Sequence, residues 1–328
     1  KPLTLKPFLQ LEALRATRRD AKHEQVEKLI KMGQQLNAMC CPVSGQAKLI
    51  RGQTAIDDDL DVTGFVAGQT PIHMLVCAID YKGTSAPLTC TQDADNIIAL
   101  AKKCGVDDIT YIKDNECTRE GVLRNIEQVG SKCNMGEWFI FYYAGHGANI
   151  PDDNGDEPDG KDEALCTVTA QGKIDFKAFL RDDDFAACVI KSCVKGSNIL
   201  IMCDCCHSGT IGDFGTGVWR GHSAISMSGC KDHQTSGDTG RGGIWTHSMM
   251  IAVQELQEKG KNRYSCAQLY NMQLEKDNKV FNSAQDIMMK WSTDLGGPQN
   301  MAWPLIPLEK YNAPWYQMTP KARSMRLE

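Results

Sequence analysis

Residues 201–210, IMCDCCHSGT, place three cysteines, one aspartate and one histidine within five consecutive positions. Such a segment can bind a metal, exchange disulfides or supply a nucleophile. Zinc ligands need more separation along the chain than these crowded positions allow, and no distant CxxC pair accompanies them in the sequence. Cys203 and Cys206 do have the CxxC spacing of a redox dithiol, so that interpretation stays open beside the nucleophile.

A second reactive segment ends the apolar run EWFIFYYAGHG (137–147), in which His146 stands between two glycines. Both segments follow runs typical of buried strands, and sites in open α/β sheets form at the C-terminal ends of strands. A histidine near a thiol can take its proton and leave a thiolate that attacks a carbonyl carbon. The segments therefore indicate thiolate chemistry by Cys206 and His146, with the backbone N–H groups of Gly147 and Cys206 as candidate donors to an oxyanion.

The elements that must position these residues alternate between strand and helix from residue 71 onward. Apolar runs predict strands, and amphipathic runs predict helices between and after them. The predicted strands lie at 72–81, 108–114, 137–147, 197–204 and 222–230, and MAWPLIPL (301–308) predicts a last short strand. The alternation predicts an α/β fold with a mostly parallel central sheet covered by helices.

The composition excludes several classes of protein. The chain has 328 residues, 42% of them hydrophobic and 23% charged, with a net charge of −5, whereas a nucleic-acid binder would be strongly basic. No apolar run approaches the roughly 18 residues that a membrane-spanning helix needs, and no signal-like segment begins the chain. The 15 cysteines are scattered, several of them in strand-like runs, which is typical of a reduced protein. We expect a monomeric cytoplasmic protein that binds neither nucleic acid nor membranes.

Several motifs together resemble one family. YYAGHG followed by DCCHSG is similar to the metacaspases, the caspase relatives of plants, fungi and protists. Further motifs follow in the family's order over roughly residues 71–305, namely AIDYKGTSAPLTCTQDA, DGKDEAL, MSGCKDHQTSGD and GGIWTHSMM. The resemblance implies the caspase-hemoglobinase fold in a type I-like arrangement. It also implies that Cys206 is the nucleophile and His146 the general base, while Cys205 should point to the opposite side of the chain.

The resemblance also implies cleavage after Arg or Lys in protein or peptide substrates. A buried cation requires an acidic pocket, and the matching acids are Asp93 and Asp204. Asp93 could instead cap the helix that follows it. The segment LTCTQDA is one residue shorter than the family's pattern, so Asp95 is an alternative pocket residue. Relatives often have Ser where this chain has Ala144, so one polar contact to the substrate is expected to be lost.

Runs of acidic residues raise the question of a cation site. On the residues alone, the run RDDDF is either a solvated face or a site for a divalent cation. The resemblance implies calcium as the cofactor, bound by the residues that match the ligands of calcium-dependent metacaspases, which are Asp162, Asp182, Asp183 and Asp213.

The chain is expected to comprise an N-terminal extension (1–70), a large-subunit-like region (71–215), a small-subunit-like region of the same domain (216–310) and a tail (311–328). Basic residues of the extension, including Arg18, Arg19 and Lys22, suit the expected pocket, so the extension either restrains the active site or packs on the far side of the sheet. The full expectation is a calcium-activated cysteine endopeptidase. A non-catalytic caspase-like scaffold and a thiol-redox protein are the alternatives.

Overall fold

The computed structural model describes residues 65–151, 160–206, 211–212, 214, 217–229, 242–281 and 285–314. Most of the predicted N-terminal extension (1–64) and most of the predicted tail (315–328) therefore lie outside the described residues. A strand within residues 71–215 pairs in one sheet with a strand within residues 216–310. Among the described helices, none is both long and apolar enough to span a bilayer.

The central sheet has six strands in the order β2-β1-β3-β7-β8-β9, and a smaller sheet has the order β4-β5-β6. All pairings in the central sheet are parallel except that of β8 with β9, and the small sheet is antiparallel. The strands are β1 (Ile72–Ala78), β2 (Asp108–Lys113), β3 (Trp138–Ala144), β4 (Gly147–Pro151), β5 (Lys161–Leu165), β6 (Leu180–Arg181), β7 (Asn198–Asp204), β8 (Ser223–Ser228) and β9 (Met288–Trp291).

Helices cover both faces of the central sheet, because its inner strands are apolar on both sides. In β3, alternate residues enter two separate hydrophobic clusters: Ile140 and Tyr142 face one, and Phe141 and Tyr143 face the other. Helices α1 (Cys90–Lys103), α4 (Ile244–Glu258) and α5 (Cys266–Lys276) pack on the first cluster. Helices α2 (Arg119–Gly130) and α3 (Asp182–Ser192) pack on the second. The predicted fold class is confirmed.

One part of the chain differs from the sequence prediction, and the acidic run lies at the start of a helix. MAWPLIPL forms no strand; Pro304 and Pro307 have no N–H to donate, and only Ala302 makes an isolated bridge, to Ser265. The last strand is instead β9, a short antiparallel edge strand. The run RDDDF supplies the first turn of α3, where its carboxylates face the positive end of the helix dipole. This placement gives the acidic run a structural role apart from cation binding.

Candidate active site

The pairing of β3 with β7 brings the two reactive segments together. Ala144 pairs with Asp204 in parallel register, so His146 and Cys206 each lie two positions beyond the same pair. A Cβ atom on Gly147 would lie 1.8 Å from the carbonyl oxygen of Cys206. The backbones that carry the two side chains are therefore in contact, and only glycine fits at position 147.

His146 is 1% exposed, and its Nε2 atom lies 2.8 Å from the carbonyl oxygen of Ala86. When the neutral imidazole carries its hydrogen on Nε2, it donates to this carbonyl, and Nδ1 is then the basic nitrogen. Ala86 lies in the loop between β1 and α1. The sequence contained no Asn or Asp that could be identified as an orienting group, and the structure places a backbone carbonyl in that position.

Cys205 and Cys206 have different surroundings at the end of β7. Cys205 belongs to the hydrophobic cluster that contains Tyr143, whereas Cys206, 3% exposed, belongs to neither cluster. Cys203 is fully buried in the same cluster as Cys205. The CxxC pair thus has one thiol inside the sheet core, which does not suit a redox dithiol that must meet a partner protein. No disulfide joins the twelve cysteines that the structure describes.

Cys166 lies beside the two reactive residues. Its backbone N–H donates to the carbonyl oxygen of His146 over 3.0 Å. Burial raises the pKa of the Cys166 thiol well above its usual value, and the neighbouring Cys206 raises that pKa further. The Cys166 thiol is therefore protonated at neutral pH and supplies no negative charge beside the nucleophile.

The two predicted pocket acids, Asp93 and Asp204, are 1% and 6% exposed, and each accepts a hydrogen bond from the start of α4. The backbone N–H of Gly243 donates to Asp93 over 2.8 Å. The backbone N–H and hydroxyl of Thr246 donate to Asp204 over 3.0 and 2.7 Å. Asp95 is exposed on α1 and does not join them. Asp93 lies in the first turn of α1, which Thr89 precedes as N-cap residue, so the capping alternative for Asp93 is wrong.

Tyr142, on the strand that precedes His146, lies within electrostatic reach of both acids. Its hydroxyl lies 2.7 Å from the hydroxyl of Thr246. Burial raises the pKa of Tyr142 well above its usual value, and the charges of Asp93 and Asp204 raise it further. Both carboxylates are thus near one phenol. Ala144, two positions after Tyr142, is fully buried and offers no polar side-chain atom.

Three of the four acids expected to bind calcium lie at one end of the small sheet. Asp162 is on β5, and Asp182 and Asp183 follow β6, which pairs with β5 in antiparallel register. Asp162 and Asp182 are 1% and 2% exposed, and one oxygen of Asp162 is bonded by the guanidinium of Arg181. Asp213 lies outside the described residues. Among the described residues, no three His, Cys, Asp or Glu side chains form a ready-made metal site.

Comparison with known proteins agrees with this geometry. A family model described as the metacaspase, peptidase C14 domain matches residues 73–215, which include His146 and Cys206. The chain is 28% identical to metacaspase-2 of Arabidopsis thaliana in an alignment of 228 positions that covers 58% of this chain and 54% of that protein. It is 28% identical to metacaspase-1 of the same plant in an alignment of 197 positions that covers 50% of this chain and 53% of that protein. The chain thus spans about half the length of the curated relatives it matches.

A solved structure supports the fold independently. Protein GSU0716 from Geobacter sulfurreducens superposes with a TM-score of 0.54 and 22% sequence identity, over 73% of this chain and 100% of that one. The likeness concerns the fold alone. The family match and the metacaspase relatives show that residues 73–215 are similar to the metacaspase, peptidase C14 domain.

Proposed function

We propose that this protein is a calcium-activated cysteine endopeptidase that cleaves after Arg or Lys, with Cys206 as nucleophile and His146 as general base. One observation carries the proposal: the pairing of Ala144 with Asp204 sets both side chains two positions beyond the same pair, at the C-terminal ends of adjacent parallel strands. The buried acids beside this edge support the preference for a basic side chain.

The residues suffice for acyl transfer. The imidazole of His146 takes the Sγ proton of Cys206, and the thiolate attacks the carbonyl carbon of the scissile bond. The backbone N–H groups of Gly147 and Cys206 stabilise the oxyanion. The imidazolium then gives its proton to the leaving amine, the C–N bond breaks, and a thioester remains on Cys206. A water that His146 deprotonates attacks this thioester, releases the acid product and restores the thiol.

The pocket proposal follows from the cost of burying a cation. An arginine or lysine side chain needs a desolvated anionic partner, and Asp93 with Asp204 supplies negative charge behind the site. We expect Asp93→Asn to reduce kcat/KM for an Arg peptide by at least about 10²-fold, because a hydrogen bond between charged groups is lost in a buried site.

A fluorogenic peptide panel with Arg, Lys or Asp before the scissile bond tests the pocket. Asp95→Asn is the matched control, since Asp95 is on the same helix but exposed. Wild type and the control should share the preference for Arg and Lys, while Asp93→Asn loses it. A preference for Asp in wild type, or equal rates in all three proteins, would remove the acidic-pocket proposal.

The described acids fit calcium in part. Oδ1 of Asp162 is buried and has no hydrogen-bond partner among the described residues, and carboxylates from separate segments suit the flexible geometry of calcium. Asp162, Asp182 and Asp183 would hold the ion together with Asp213, and the bound ion would neutralise their mutual repulsion. Asp213 is seven positions after Cys206, so an ion held there would tie the catalytic segment to the small sheet.

Calcium binding is measured without catalysis by calorimetric titration of Cys206→Ala protein. We expect calcium to bind this protein, and the Asp182→Ala/Asp183→Ala substitutions to weaken its binding by at least about tenfold. Magnesium should be a poor substitute for calcium, because it demands a tighter octahedron. Asp175→Ala, which removes an acid from the turn before β6, is the control. Equal calcium affinity in all variants would show that the calcium site lies elsewhere. Full activity of wild type in excess chelator would contradict calcium activation.

We further propose that the protein acts as a monomer in the cytoplasm on protein or peptide substrates. The scattered cysteines support a reducing compartment, because none of those described is paired in a disulfide. Light scattering after size exclusion measures the mass directly. A particle of twice the chain mass at micromolar concentration would contradict the monomer.

A further inference from the structure

Two buried tyrosines hold both ends of the His146 residue. The hydroxyl oxygen of Tyr81 accepts the backbone N–H of His146 over 3.0 Å. The hydroxyl of Tyr143 donates to the carbonyl oxygen of His146 over 2.9 Å. The two hydroxyl oxygens are 3.0 Å apart, and Tyr81 donates to the carbonyl oxygen of Cys166 over 2.8 Å. The backbone of the proposed base is thereby fixed relative to β1, β3 and the end of β5.

Tyr81 also touches the imidazole itself. The two ring centroids are 4.5 Å apart, and the rings are inclined by 43°. An aromatic ring beside the imidazole limits its rotation and favours the positive charge that the ring acquires on taking a proton. The loop that carries Tyr81 also carries Ala86, whose carbonyl contacts Nε2. The loop between β1 and α1 therefore contacts the backbone, the ring face and one ring nitrogen of His146.

The backbone at Tyr81 is strained to achieve this placement. Its φ angle is +51°, in the left-handed region that bulky residues avoid. The carboxylate of Asp80 holds the loop by accepting the N–H of Thr91 over 2.8 Å, and the N–H of Asp80 donates to Asp114 over 2.9 Å. Such strain persists only where the surroundings determine the conformation, and it concentrates at functional sites.

The glycine before His146 is matched to the tyrosines. A Cβ atom on Gly145 would lie 2.5 Å from the hydroxyl oxygen of Tyr143 and 2.9 Å from that of Tyr81. Both rings are fully enclosed, so neither can move away without opening the core. The tyrosine hydroxyls, Gly145 and the His146 backbone thus form one closely packed unit.

We propose that Tyr81, with Tyr143, is a positioning residue that holds His146 in the orientation in which it takes the proton of Cys206. The inference rests on the proposed function of His146 and adds the groups that set its geometry. In this role Tyr81 acts through His146.

The test measures thiol activation without a substrate. Iodoacetamide alkylates the thiolate of Cys206 with loss of iodide, and peptide mass spectrometry follows the modification of this residue in the full chain at pH 7. We expect Tyr81→Phe to slow alkylation of Cys206 about fivefold, because the substitution removes one hydrogen bond to the His146 backbone. Tyr264→Phe is the matched control, because Tyr264 is equally buried and its hydroxyl has no hydrogen-bond partner among the described residues.

The His146→Ala variant separates the two proposals. If His146→Ala alkylates as fast as wild type, His146 is not the base and the proposed function fails. If His146→Ala is slow while Tyr81→Phe and the control both equal wild type, only the positioning role is overturned. If Tyr81→Phe melts at a much lower temperature than the control, Tyr143→Phe gives the same test from the other hydroxyl. A folded Tyr143→Phe protein with a normal rate then contradicts the proposal.

Turnover gives a second readout on the peptide that wild type cleaves best. Tyr81→Phe should lower kcat by about 10-fold or more and leave KM within about twofold, because misplacement of the base affects chemistry and not substrate binding. The double variant Tyr81→Phe/Tyr143→Phe should cost little more than either change alone, since the two hydroxyls hold the same residue. A change in KM without a change in kcat would contradict positioning.

Discussion

At the scale of single residues, Cys205 and Cys206 differ in what surrounds them, although both are buried. We expect Cys206→Ala to abolish turnover, because among the described cysteines no other thiol lies at this strand end outside the hydrophobic clusters. Cys205→Ala should keep most of the activity and melt slightly lower, since it removes a small apolar contact. Initial rates on an Arg peptide and thermal melts measure both effects. An inactive Cys205→Ala would show that the assignment is wrong by one residue.

Gly147 provides the second prediction at this scale. The added methyl group of Gly147→Ala would meet the Cys206 carbonyl at 1.8 Å, so the nucleophile segment must move. We expect kcat/KM to fall by roughly 10²-fold or more, as a displacement of about 1 Å in reacting groups can cause. Gly260→Ala is the control for a general loss of stability, because its Cβ would meet no atom within 4 Å while the φ of +74° at this position disfavours alanine. Normal kinetics in Gly147→Ala would contradict the close contact.

At the scale of elements, Asp80 ties the end of β1 to the first turn of α1. Its carboxylate accepts the N–H and hydroxyl of Thr91 over 2.8 and 2.7 Å. Burial alone would raise the pKa of Asp80, but the hydrogen bonds from Lys82 and Thr91 hold it below the usual value. The contribution of the charged Asp80 carboxylate to the free energy of unfolding is therefore complete above the unfolded pKa of about 3.9. This contribution is lost as the pH falls through the folded pKa.

We expect Asp80→Asn to lower the free energy of unfolding by roughly 1–3 kcal/mol at neutral pH. The difference from wild type should shrink as the pH falls below about 4, because the carboxylate is protonated first in the unfolded chain and then, at the lower folded pKa, in the native protein. Urea unfolding across this range measures it, with Asp95→Asn as an exposed control. A difference that is the same at every pH would show that the Asp80 charge does not contribute.

The sequence predicted the long elements and missed the short ones. The central strands are continuous apolar runs, and burial on both faces makes that signal strong. Strands β4, β5 and β6 have the sequences GANIP, KDEAL and LR, which are short and partly polar, and they exist only through pairing with each other. Such pairing depends on residues distant in the chain and leaves no local pattern.

Sequence patterns identify only those residues of the candidate site that have distinctive side chains. His146, Cys206 and the two pocket acids have distinctive side chains at strand or helix ends. The Ala86 carbonyl does not, because every residue carries one, so no pattern marks its contact with His146. The choice between Asp93 and Asp95 depended on helix rotation: two positions turn the side chain by about 200°, from the buried face of α1 to the exposed one.

At the scale of the whole molecule, the N-terminal segment is expected to restrain the enzyme. The described domain begins by Phe65, whose ring centroid lies 6.1 Å from that of Trp138, so residues 65–70 belong with the folded part. We expect removal of residues 1–64 to raise basal activity, because basic residues such as Arg18 and Arg19 suit an Arg/Lys pocket. The Arg18→Gln/Arg19→Gln variant of the 328-residue chain tests the same restraint without truncation, and it should also gain activity. A folded truncated protein that is no faster than the full chain would contradict restraint.

The central claim, a cysteine endopeptidase specific for Arg and Lys, is tested most directly by digesting a diverse peptide library with calcium and sequencing the new termini by mass spectrometry. Wild type should cut almost only after Arg and Lys, and Cys206→Ala should produce no new termini under the same conditions. Cleavage by wild type after Asp or without side-chain preference would contradict the acidic pocket. The same cuts made by Cys206→Ala, or no cuts by calcium-loaded wild type, would contradict the claim that this residue makes the chain a peptidase.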